Sequence, residues 1–134
     1  TAAFARFLAE RNLALVLVDR VGSPDLFPVW DELVTAQLAP PFALIRLIGD
    51  DKHGPSGDRE ITAPRDADLL RWAQRLAAWH GQGLEQYCYL HNPYEGHSPA
   101  SVRRLQTHLA SLVELPAWPP VGPIEETGGQ LSLF

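Results

Sequence analysis

Residues 87–105, YCYLHNPYEGHSPASVRRL, hold three kinds of local structure in immediate succession. Tyr87, Cys88, Tyr89 and Leu90 form a short apolar run with aromatic weight, which predicts a strand covered on both faces. Asn92, Pro93, Tyr94, Glu95 and Gly96 break the run with turn chemistry. Ser98 followed by Pro99 suits an N-cap and a first helical position, because Ser can accept from an orphan N–H and Pro has none to lose. Val102, Leu105, Leu109 and Leu112 then recur at helical spacing and give one apolar stripe. Strand, turn and helix in this order make a βα unit, and the turn sits where α/β folds carry chemistry.

The chain upstream repeats the pattern. Residues 2–11 read as a helix ending near Asn12, followed by a strand over Leu13–Val18 and a loop over Asp19–Pro28. Val29–Leu38 reads as a short helix that Pro40 and Pro41 stop, and Phe42–Ile48 as an apolar strand interrupted only by Arg46. Gly49–Pro64 lacks periodicity and is a long loop at the carboxyl end of that strand. Asp66–Trp79 is a helix with Leu69, Ala73, Leu76 and Ala77 on one side and Trp72 and Trp79 beside them; Gly81 and Gly83 end it. Glu85–Leu90 is the last strand and Pro99–Leu115 the last helix. Apolar strands alternating with helices predict parallel βα units.

These motifs together carry a family resemblance. The aromatic strand with its Asn-containing, Gly-closed turn and Pro/Ala helix start, the strand LALVLVD ending in Asp19, and FALIRLIG with Arg46 and Gly49 resemble the C-terminal portion of the YecE-like proteins, domain of unknown function 72. The likeness spans roughly residues 1–113. It departs from the family pattern at Ile48, where a His is usual, at His91, where an Asn is common, and at Ser101-Val102, where Asn-Ala is usual. The resemblance implies a TIM-type (β/α)8 barrel. Such a barrel takes about 250 residues, and this chain has 134 and no Met. Residues 1–115 are therefore expected to be the C-terminal half of a barrel, with a standalone α/β domain as the alternative, and residues 116–134 a Pro/Gly-rich tail.

Composition narrows the setting. Eleven basic against sixteen acidic residues give a formal net charge of −5, which offers no overall attraction to a phosphate backbone. The single cysteine, Cys88, can form no internal disulfide and fits a small buried apolar role in a reducing cytoplasm. No apolar run approaches the length of a membrane span.

Parallel strands bring their carboxyl ends to one rim, so Asp19, Arg46, Gly49, His91 and Asn92 are expected at a common opening, with Tyr94, Glu95 and His97 close by. Arg46 is the sharpest candidate, since a guanidinium in an apolar strand needs either a carboxylate such as Asp19 or an anionic ligand held bidentately. Asp19, Arg46 and Asn92 are the candidate catalytic residues; Arg46, Gly49, His91, Asn92 and Tyr94 are the candidate ligand-binding set. His91, Glu95 and His97 are the candidates for a divalent metal, against the plainer reading of solvated loop histidines beside a surface charge. The sequence holds no phosphate-binding glycine loop, serine elbow or CxxC pair.

The last five residues, Gln130, Leu131, Ser132, Leu133 and Phe134, resemble the peptide with which bacterial replication and repair proteins bind the sliding clamp of the DNA polymerase. A clamp would deliver an acidic protein to DNA without a basic surface. The alternative is a terminal apolar clasp folded back on the domain. Three functions are thus open: a clamp-recruited protein of DNA metabolism that hydrolyses a phosphodiester with a metal, a small-molecule enzyme holding an anionic substrate at Arg46, and a binding scaffold without catalysis.

Overall fold

The computed structural model describes residues 2–116. The QLSLF motif and most of the tail lie outside the described residues. Helix α1, Ala2–Ala9, leads through the left-handed Asn12 (φ 55°) to strand β1, Val16–Arg20. The strand starts later than its apolar pattern predicts, because Leu13 N–H still closes the helix end on the Leu8 carbonyl at 3.0 Å. Helix α2, Phe27–Thr35, carries Pro28 in its first turn and begins where Asp25 Oδ1 accepts the Phe27 N–H at 3.0 Å. Strand β2 is Phe42–Gly49, helix α3 Asp66–Gly81 and strand β3 Glu85–Leu90. The turn after β3 is itself a short helix, α4, Asn92–Glu95, and helix α5 follows over Ser98–Ala110.

The strands form one parallel sheet in the order β1-β2-β3, as their alternation with helices predicts. Register pairs Val18 with Arg46 and Asp19 with Leu47, then Arg46 with Tyr89 and Leu47 with Leu90. Since side chains alternate along a strand, Leu17, Ala43, Ile45 and Leu47 share one face, and all four are buried. That face meets Trp30 and Leu33 of α2 and Leu69, Trp72, Ala73, Leu76 and Trp79 of α3, which make up the core. Burying each large side chain of this kind contributes about 1.5–3 kcal/mol. Two of the indoles keep polar partners, Trp79 Nε1 donating to Asp31 Oδ1 at 2.6 Å and Trp72 Nε1 to Asp19 Oδ2 at 2.7 Å, whereas the buried Trp30 Nε1 has none among the described residues.

The other face is uncovered by the described residues. Val16, Phe42, Tyr87 and Tyr89 are exposed there, with Tyr89 at 55%. Strand β3 is thus half-covered instead of buried on both faces. Its aromatic weight misled because Tyr tolerates a wet face as readily as a dry one.

Candidate functional site

Asp19 and Arg46 do not meet at one opening. The register that pairs Asp19 with Leu47 turns its carboxylate to the helix-covered face, and the pairing of Val18 with Arg46 turns the guanidinium to the open face. This corrects the expectation of a common mouth and of an Asp19–Arg46 ion pair. Asp19 Oδ2 accepts from Trp72 Nε1 at 2.7 Å and from the Tyr94 hydroxyl at 3.3 Å. The Nη2 atoms of Arg71 and Arg65 stand 3.5 and 3.9 Å from its carboxylate, and both also reach Asp68 at 2.8 Å. Tyr94, a candidate ligand residue, is 1% exposed and lies under the Arg65 guanidinium, 4.3 Å from its ring centre. Burial and the charge of Asp19 raise its hydroxyl pKa. These two side chains hold the top of β1 to α3 and α4.

Asn92 is likewise engaged in the fold. Its side-chain oxygen accepts the Ser98 N–H at 2.9 Å and so caps α5, the task that Ser98 itself was expected to perform. Gly49 takes φ +77°, and a Cβ there would come within 2.8 Å of both Pro93 O and Tyr94 Cα. The close approach of β2 to α4 therefore depends on the missing side chain.

Glu95 is fully buried and is no surface charge. One carboxylate oxygen, Oε1, accepts the Arg65 N–H at 2.7 Å and lies 3.3 Å from Arg104 Nε, while its backbone carbonyl accepts from Thr62 at 2.8 Å and Ala63 at 3.1 Å. Glu95 thereby fastens the end of the long loop after β2 onto α4. It is spent on this latch and does not join His91 and His97 in a metal site; among the described residues, no three His, Cys, Asp or Glu side chains are grouped to hold a metal ion.

Arg46 and His91 do converge. Arg46 Nε donates to His91 Nε2 at 3.2 Å on the open face, and His91 is fixed at the top of β3 by its N–H to the Leu47 carbonyl at 2.9 Å. Burial and the neighbouring guanidinium lower the His91 pKa, which favours the neutral ring that can accept this bond. No carboxylate among the described residues lies in salt-bridge range of Arg46. Its guanidinium therefore offers a two-pronged donor with no counter-ion among the described residues.

The family profile described as "Protein of unknown function DUF72" matches residues 1–123. The chain belongs to the DUF72 family. No curated protein and no solved structure gave a significant match. No helix among the described residues is long and apolar enough to cross a membrane. Within this DUF72 chain the sequence picked out Arg46, Gly49, His91 and Asn92 by their place at strand ends. It missed Arg65, Arg71 and Trp72 as the partners of Asp19, although a Trp on the apolar side of an amphipathic helix needs an acceptor for its indole N–H.

Proposed function

We propose that this DUF72 chain binds an anionic group, a carboxylate or a phosphate, between Arg46 and His91. The observation that supports the reading is the 3.2 Å Arg46–His91 contact on an open face, with no carboxylate of the described residues in salt-bridge range of Arg46. Arg46 presents a planar fork suited to two oxygens of one anion. His91, accepting through Nε2, carries its proton on Nδ1 and can offer it as a further donor. The sheet also suits a place in a β/α barrel: helices cover one face, and the other bears Phe42, Leu44, Tyr87 and Tyr89, as strands do where they face a barrel interior. On that reading the Arg46–His91 pair opens at the carboxyl-end mouth, where barrel enzymes bind substrates. A binding scaffold without catalysis would use the same pair.

Titration of the protein with inorganic phosphate and with acetate, followed by His91 ring resonances, tests the reading. Saturable shifts that Arg46→Ala abolishes and Arg46→Lys weakens support it; shifts unchanged in Arg46→Ala end it.

The sequence of the tail favours a second reading, recruitment by the bacterial sliding clamp through Gln130, Leu131, Ser132, Leu133 and Phe134. Leu131, Leu133 and Phe134 would supply apolar anchors and Gln130 polar contacts. The anion held at Arg46 would then be a phosphodiester, and the setting DNA metabolism or repair. Deleting Gln130–Phe134 should abolish retention on immobilised clamp; undiminished retention would refute it.

A further inference from the structure

The chain has three tyrosines, and two of them are engaged within the fold. Tyr94 is buried under Arg65 with its hydroxyl 3.3 Å from Asp19 Oδ2, and the Tyr87 hydroxyl donates to Glu85 Oε1 at 2.7 Å. Tyr89 is the exception. It is 55% exposed, and among the described residues no polar atom pairs with its hydroxyl, no ring stacks on it and no guanidinium lies over it. A phenol ring held in water on a strand keeps both its apolar area and its π face for a further partner.

Its place in the sheet decides what that partner carries. Register pairs Tyr89 with Arg46, and Arg46 with Val18, so the three side chains stand in a row across the open face. Ile48, two residues beyond Arg46, and His91, two beyond Tyr89, border the row at the carboxyl ends of the strands. Neighbouring strands lie about 4.8 Å apart, so the Tyr89 ring and the Arg46 guanidinium rise from adjacent positions. An anion seated on Arg46 and His91 therefore brings whatever is bonded to it directly against Tyr89. A bare phosphate or acetate would leave that ring in water, together with the aliphatic Val18 beyond Arg46. A flat aromatic ring joined directly to the anion covers the phenol in an offset stack while the charge stays on the guanidinium. An aliphatic body of the same size would cover area without the stacking term.

We propose that the Arg46–His91 site takes an aromatic anion, an aryl carboxylate or aryl phosphate, whose ring lies against Tyr89. This ligand class deepens the anion-binding reading and rests on it. Tyr89 is then the specificity-determining contact: it selects among anions by the body they carry and leaves the hold on the charge to Arg46 and His91.

Titrations of the full chain with inorganic phosphate, phenyl phosphate and cyclohexyl phosphate, followed by His91 ring resonances at about pH 8, where each ligand is chiefly a dianion, test the class. Phenyl phosphate should bind about tenfold tighter than inorganic phosphate, and cyclohexyl phosphate should fall between them. Tyr89→Ala should abolish the preference for phenyl phosphate and leave the affinity for inorganic phosphate within about twofold; Tyr89→Phe should retain the preference. A readout that needs no variant is the upfield ring-current shift of the Tyr89 ring protons, expected with phenyl phosphate and absent with the other two. Phenyl phosphate binding no tighter than inorganic phosphate would overturn the aromatic class and leave the anion-binding reading standing. An equal gain for cyclohexyl phosphate, or a preference that survives Tyr89→Ala, would overturn it as well. If inorganic phosphate itself leaves His91 unmoved while phenyl phosphate does too, the anion-binding reading fails and the aromatic class with it.

Discussion

Val18 pairs with Arg46 and Asp19 with Leu47, so Asp19 and Arg46 point to opposite faces of the same sheet. One is tied to Trp72 and Tyr94 within the fold, and the other lies on the open face beside His91. Their substitutions should separate the two roles.

Asp19→Ala leaves the indole N–H of Trp72 and the hydroxyl of Tyr94 without their acceptor. Arg65 and Arg71 keep Asp68 as a partner, so no guanidinium is orphaned. The expected loss is about 2–6 kcal/mol, from two buried donors at about 1–3 kcal/mol each. Urea denaturation would measure it; a loss below about 0.5 kcal/mol would contradict the anchoring role.

Arg46→Ala removes an exposed side chain whose hydrogen-bond partner is His91. Stability should stay within about 0.5 kcal/mol of the parent, as for surface substitutions generally. Unfolding of this variant would instead assign Arg46 to the fold.

Glu95→Ala should free the loop it holds. The amide of Arg65 loses its acceptor, and Arg104 retains only Asp66 at 2.6 Å. A cost of about 2 kcal/mol or more follows from breaking a buried charged contact. Hydrogen exchange gives the more specific check: the Thr62, Ala63 and Arg65 amides should lose protection before those of β2 do.

Gly49→Ala places a methyl group against Pro93 and Tyr94 in a backbone with φ +77°. The conformational cost alone is about 1–2 kcal/mol, and the contact adds to it. A thermal midpoint equal to that of the parent would show that β2 and α4 can part without penalty.

The pH dependence of stability carries a signature of His91. Its pKa is lowered first by burial and then by Arg46, so the folded chain binds this proton less readily than the unfolded one. The neutral-ring contribution is complete above the unfolded value of about 6.5 and is lost as the pH falls through the lower folded value. His91→Gln should therefore flatten stability against pH below about 6.5. Denaturation midpoints across a pH series would show it, and parallel curves for parent and variant would exclude it.

Much of the fold was legible because alternating apolar runs and turn residues fix elements locally. The strands FALIRLIG and EQYCYL, the amphipathic helix ending in Trp79 and the parallel order follow from periodicity and connection length. Element ends were less legible: β1 starts at Val16 because the end of α1 holds Leu13, and α5 is capped by Asn92 from another element. The candidate site was legible as a set of rim residues and not as a geometry. His91 gained a partner in Arg46, while Asn92, Tyr94 and Glu95 were absorbed into caps and latches.

By itself the sequence determined that helices and strands alternate and that polar residues gather at the carboxyl ends of β1, β2 and β3. Only the tertiary structure decided which of those residues share a face. Apolar side chains occupy both parities of β1 and β2, Val16 and Val18 against Leu17, Leu44 against Ile45, so neither strand announces which side meets the helices. That choice is made by packing against Trp30, Trp72 and Trp79 and by the interstrand register, and it sends Asp19 inward and Arg46 out.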